Sequence, residues 1–108
     1  MGIGNANYVY WEEAANVGAP FILTPPVISG LISVGSVLTS TQGTVSAAGT
    51  TTYAYQWMKN SVAIASANAN TYTLVTGDIG GIITCIVSAT NPDGKINMTS
   101  NTLGPVTA

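Results

Sequence analysis

The segment Tyr53-Ala54-Tyr55-Gln56-Trp57 constrains this chain more than any other. Large aromatic and smaller side chains alternate there with period two, the pattern of a half-buried β-strand. Tyr53, Tyr55 and Trp57 share one face, and Ala54, Gln56 and Met58 share the other. One strand cannot bury three aromatic rings by itself. The pattern therefore calls for a second sheet laid over the first, and the remainder of the chain has to supply it.

It does so in short pieces. Val27-Ile28-Ser29 reads as a strand ended by Gly30, and Ser36-Val37-Leu38-Thr39-Ser40 as a second, preceded by Gly35. Gln42-Gly43 and Ala48-Gly49 punctuate turns on either side of Thr44-Val45-Ser46. Val62-Ala63-Ile64 follows an Asn60-Ser61 turn, Thr71 to Val75 alternates again, and Gly77 to Gly81 is a corner. Ile82 to Thr90 is the longest strand and is rich in β-branched residues. Pro92-Asp93-Gly94 turns it back into a last strand from Lys95 towards Leu103. No segment reads as a helix. Strands at this spacing predict an all-β sandwich.

Composition narrows the chemistry. Charged residues are 6% of the 108-residue chain, against roughly 25% in ordinary soluble domains. With two basic residues in all, there is no patch to contact phosphates, which argues against nucleic acid as a partner. There is no His, so Ser-His and Cys-His nucleophile pairs are excluded. A single Cys, Cys85, excludes an intrachain disulfide and a cysteine zinc cluster. Glu12-Glu13 is the one carboxylate pair, and neighbours on a strand point to opposite faces, so they cannot act together as acid and base. Asp78 and Asp93 lack the neighbouring oxygen ligands of a calcium loop, and read as a corner residue bonding its own backbone and a turn residue. The Asn97-Met98-Thr99 sequon is discounted for want of a secretory leader. No catalytic constellation, cofactor site or metal site is expected. No apolar run approaches the roughly 20 residues of a membrane helix. Met1 is followed by neither a basic nor an apolar leader segment, which reads as synthesis in the cytoplasm.

Residues 1–19 differ from the rest. They hold Tyr8, Tyr10, Trp11, Glu12 and Glu13, two of the four acidic residues of the protein among them. The segment suits either a short strand at Tyr8 to Trp11 or a helical turn around Glu12 to Ala15. Such a segment either folds back over one end of the sandwich or docks on a partner. Pro20, Pro25 and Pro26 then mark the entry to the domain, residues 20–108, with geometry that suits an edge strand or a linker.

The motifs taken together carry a resemblance. Pro26-x-Ile28-Ser29-Gly30, Gly35-x-x-Leu38, Tyr53-x-Tyr55-Gln56-Trp57, Thr71-Tyr72-Thr73-Leu74, Asp78-x-Gly80 and Ile83-Thr84-Cys85-x-Val87-x-Ala89-Thr90-Asn91 with Gly94 resemble bacterial and phage immunoglobulin-like domains, over residues 20–106. The resemblance implies an immunoglobulin-like sandwich of about seven strands. In it Trp57 takes the strand-C core position, Cys85 the strand-F position and Leu38 the strand-B position that bears the other cysteine in disulfide-linked relatives. Ile83 stands where such domains have a corner tyrosine, so that residue's hydrogen bond is lost. Parity places Ile83, Cys85, Val87 and Ala89 on the core face with Tyr55 and Trp57, facing Ile28, Leu38, Tyr72 and Leu74. Ile86 falls on the outer face, either alone or in a patch with Ala54 and Met58.

Domains of this kind occur in tailed-phage capsid decoration (cement) proteins and tail proteins. The resemblance therefore implies a virion structural protein, not an enzyme, and the aromatic and acidic make-up of the N-terminal segment reads as an arm that binds the major capsid protein through Tyr8, Tyr10, Trp11, Glu12, Glu13 and Phe21. Self-association on the capsid and contact with host-surface glycans are further expectations. The alternative is a carbohydrate-binding or adhesin module of a bacterial surface or phage tail protein.

Overall fold

In the computed structural model, which describes residues 18–108, the described residues form nine strands. They are β1 (Phe21–Thr24), β2 (Ile28–Ser29), β3 (Val37–Ser40), β4 (Thr44–Ser46), β5 (Thr52–Lys59), β6 (Val62–Ala63), β7 (Thr71–Thr73), β8 (Ile83–Asn91) and β9 (Gly94–Thr99). The described residues are all-β apart from one 3-10 turn at Thr76–Asp78, and Cys85 is a free, buried cysteine.

The strands form a four-stranded sheet in the order β6-β5-β8-β9, a three-stranded sheet β2-β3-β7 and a two-stranded ribbon β1-β4. All these pairings are antiparallel. Beyond β9 the chain adds parallel bridges, Ile79 to Val106 and Ser33 to Thr107. Sheets of β2-β3-β7 and β6-β5-β8-β9 are consistent with the immunoglobulin-like arrangement, in which an A-B-E sheet faces a C′-C-F-G sheet.

The ribbon is an extension of the smaller sheet. Thr24 pairs with Thr44 in the register of Ile28 with Ser40, and a shift between Ile22 and Thr24 offsets the outer half of the ribbon by one residue. Between them Val27 N donates to Thr41 Oγ1 and Thr41 N to Val27 O, at 2.8 and 2.9 Å. One long hairpin thus runs from Gly18 to Ser29 against Thr39 to Ala48. It is interrupted where Pro25 and Pro26 have no N–H to give to a ladder. Gly43 lies opposite that break with φ of 74°, and a Cβ there would stand 2.9 Å from Thr24 O. Only a glycine lets the two backbones pass so closely.

The core lies between the sheets. Ile28, Leu38, Trp57, Leu74, Ile83, Cys85, Val87, Ala89, Met98 and Val106 are buried, with Tyr53, Tyr55, Tyr72, Val45 and Ile96 half-buried against them. Along β8 burial alternates residue by residue from Ile83 to Ala89. Ile86 is half-buried on the outer face, and its cross-strand neighbour is Gln56. Trp57 sits at the centre, beside Cys85 across the β5-β8 ladder and stacked on Tyr72 with ring centroids 5.8 Å apart. Its indole N–H reaches Ala69 O at 2.8 Å, which satisfies the ring's polar atom inside the core.

The resemblance places Leu38 opposite the Cys85 thiol, and Leu38 is fully buried. Cys85 Sγ donates to Ile86 O at 3.9 Å, and its N–H to Ser100 Oγ at 2.9 Å. Ser40, buried two residues beyond Leu38 on β3, donates its hydroxyl to Thr41 O at 2.9 Å. Burial raises the Cys85 pKa, and the hydroxyl of Ser40 offsets part of that rise. An exposed nucleophilic thiol is thereby ruled out; the group fills the core as a small hydrophobe.

Candidate functional site

Two ends of the sandwich carry polar or apolar groups beyond the needs of the core. At one end lies the corner before β8. Asp78 is 4% exposed, and its Oδ2 accepts from Tyr72 OH at 2.6 Å and from Val75 N at 3.0 Å. Val75 also accepts the N–H of Asp78, which closes the 3-10 turn. Tyr72 thus ties β7 to the corner through the Asp78 carboxylate. Lys59, at the end of β5, donates to Gly77 O and holds the same corner. A shallow cavity of about 390 Å³ lies beside it, lined by Lys59, Asn60, Val62, Ala63, Ile64 and Asp78. Asn60 Oδ1 is occupied by Ile82 N at 3.0 Å. These groups hold the chain in place and converge on no reacting atom.

The Tyr72–Asp78 pair has a measurable consequence. Burial first, then the bond to Asp78, pushes the Tyr72 pKa up to about 12. A tyrosine in the unfolded chain ionises near pH ~10. The folded-state value is raised, so this contribution to stability is fully present below pH ~10 and is lost as pH rises through about 12. Unfolding midpoints of the wild type should fall across that window in alkaline titration. Tyr72→Phe should lower stability at neutral pH and flatten the decline; an unchanged alkaline slope would contradict the assignment.

The opposite end holds β1, β4, the β8-β9 hairpin and the point where the chain enters the domain. The entry is built on Asn91, which is 7% exposed. Its Nδ2 donates to Gly18 O and to Ala48 O, and its Oδ1 accepts from Asp93 N and Gly94 N, both at 3.0 Å. One buried amide thus uses all its hydrogen-bonding capacity to shape the Pro92-Asp93 turn and to tie Gly18 and Ala48 to it. Ala48 N also donates to Gly18 O at 3.0 Å. A Cβ on Gly18 would lie 2.9 Å from Ala48 Cβ and closer still to the Asp93 carboxylate, so the crossing needs glycine. Gly18 and Ala19 therefore belong with the packed domain, although composition groups them with residues 1–17.

Phe21 lies at this end and is 54% exposed on β1. Every residue of β1 is exposed, Ile22 and Leu23 included, and none joins the core. Only Val45 of the β1-β4 ribbon packs against the core. The strand itself carries no alternation between its flanking prolines that would reveal it in the sequence. Tyr8, Tyr10, Trp11, Glu12 and Glu13 lie outside the described residues. Of the other singled-out residues, Leu38, Trp57, Leu74, Cys85 and Val87 are buried, and Tyr55 and Tyr72 are half-buried. None of these presents an accessible site.

Among the described residues no group of three or more His, Cys, Asp or Glu side chains could hold a metal ion, and no helix is long and apolar enough to cross a membrane. No family model matches the chain, and neither a curated protein nor a solved structure matches it. The surface that stands out is β1, an apolar strand that the core does not require.

Proposed function

We propose that this chain is a structural protein of a tailed-phage virion, a capsid decoration (cement) protein. Its N-terminal arm binds the major capsid protein, and its immunoglobulin-like domain is displayed on the particle. The observation that carries this reading is the coincidence of two features at one end of the sandwich. The arm enters at Gly18, held by Asn91, and next to it β1 exposes Phe21, Ile22 and Leu23. Contiguous apolar surface of this kind marks contact sites. Aromatic side chains such as Tyr8, Tyr10, Trp11 and Phe21 are good anchors because they bury much area at low entropic cost. Glu12 and Glu13 would pair with basic residues of the shell. A nearly uncharged surface, with 6% charged residues, adds little repulsion between copies crowded on a lattice.

The adhesin reading needs an aromatic platform for sugars. Among the described residues Trp57 is buried, Tyr53, Tyr55 and Tyr72 are half-buried, and Phe21 is the exposed ring. That distribution favours protein attachment over glycan stacking.

Co-sedimentation with undecorated capsids tests the choice. The full chain should pellet with the shells and saturate. Replacing Tyr8, Tyr10 and Trp11 together by Ser should abolish pelleting while leaving the far-UV circular dichroism unchanged. Retention on host polysaccharide with no affinity for any shell would overturn the proposal in favour of the adhesin.

A further inference from the structure

The two sheets of the sandwich differ in charge. Among the described residues the charged side chains are Lys59, Asp78, Asp93 and Lys95. Asp78 is buried in the corner before β8. The other three lie on β5, on β9 or in the turn between β8 and β9, all parts of the four-stranded sheet. The strands of the smaller sheet and of the ribbon carry no charge at all.

Pairing fixes what the smaller sheet turns to solvent. Ile28, Leu38 and Ser40 are buried and Tyr72 packs on the core, so the alternate residues Ser29, Val37, Thr39, Thr71 and Thr73 point outward, and all five are exposed. The same period extends the face at its flanks. Val27 pairs with Thr41 through two hydrogen bonds, and Val75 follows the buried Leu74. Val27, Val37 and Val75 are 52%, 53% and 51% exposed. On the ribbon Ile22 pairs with Val45, which packs on the core, so Phe21 and its partner Ser46 turn outward in line with this face. Valine and threonine are stiff at χ1, so covering them costs little rotamer entropy.

Size and charge together point to one occupant. The hairpin strand from Gly18 to Ser29 runs ~40 Å, and with its partner and β7 alongside the face is ~10–15 Å across. Covering it on two molecules removes on the order of 1,000 Å² from water, where a specific interface begins. A charged partner would lose water from its own ions against a face that has nothing to pair them. A second copy brings the same neutral face, opposes no like charges and leaves Lys59, Asp93 and Lys95 in solvent.

We propose that the protein forms a two-fold dimer by packing the outer face of β2-β3-β7, continued by the β1-β4 ribbon, on the same face of a second copy. The contact is isologous and closes after two molecules. Thr39, flanked by Ser29 on β2 and Thr71 on β7, is at the middle of the face and lies by the axis. The dimer requires no shell and does not rest on the attachment reading.

Sedimentation equilibrium of the full-length chain over a concentration series tests it. The wild type should fit a monomer–dimer equilibrium. Thr39→Lys sets two ammonium groups against each other at the axis and should weaken the dimer by on the order of 100-fold or more. Ala54→Lys, on the exposed outer face of the four-stranded sheet, should leave it unchanged. Circular dichroism checks that the lysine variants fold. Should Thr39→Lys unfold, Thr73→Lys reads the same face and should dissociate the dimer likewise. A wild type that stays monomeric at every concentration, or assembles beyond a dimer, overturns the proposal. So does a dimer that survives a folded lysine variant of this face, or one that Ala54→Lys dissolves.

Discussion

Trp57→Ala should lower the unfolding free energy by about 3–5 kcal/mol, a large part of the roughly 5–15 kcal/mol that holds a domain together. Trp57 is fully buried, stacks on Tyr72 and sits beside Cys85 across the ladder. No disulfide backs it up. The ring also anchors the loop after β6 through Ala69 O, and the backbone N–H of Trp57 bonds Ala67 O at 2.9 Å. Trp57→Phe separates the two roles. It keeps most of the volume and loses the indole N–H, so it should cost about 1–3 kcal/mol, the loss expected when a carbonyl loses its donor. Urea midpoints followed by circular dichroism measure both. Equal losses for Ala and Phe would show that the loop anchor, not the packing, dominates.

The second large effect is expected at Asn91. Asn91→Ala strips partners from Gly18 O, Ala48 O, Asp93 N and Gly94 N at once. With water able to reach part of this hairpin, the loss should be about 2–4 kcal/mol. Asn91→Asp is the sharper probe. It retains an acceptor for the two turn amides, but it turns a carboxylate towards the carbonyls of Gly18 and Ala48. The turn should persist while the entry of the arm comes loose. Amide exchange at Ala48, whose N–H bonds Gly18 O, should quicken more than exchange at Gly94. The reverse order would mean that Asn91 serves the turn alone.

How much of this was legible in the chain depends on how local the physics is. The strand β8 could be read residue by residue because Ile83, Cys85, Val87 and Ala89 recur at every second position, and the burial follows the same period. The position of Trp57 followed from the same alternation. β1 was not legible. It lies between prolines, its apolar residues are consecutive, and its partner β4 is some twenty residues away. Only the register of the long hairpin makes it a strand. Asn91 carried a partial signal, since an Asn before Pro-Asp-Gly favours a side-chain-capped turn; its grip on Gly18 and Ala48 depends on tertiary approach. The corner was legible in part. Asp78 reads as a corner residue bonding its own backbone, and its Oδ2 does accept from Val75 N. The second bond, from Tyr72 OH, depends on the pairing of β7 with β3 and has no local signal.

The proposed function divides the chain in two: the sandwich folds on the core around Trp57, and residues 1–17 would serve attachment. The most direct test compares the full chain with a chain starting at Gly18, which keeps the Asn91 contacts, in one capsid-binding titration with melting temperatures taken on the same samples. The two chains should melt at closely similar temperatures, and the shorter one should lose capsid binding completely. Full binding by the shorter chain, or its failure to fold, would contradict that division.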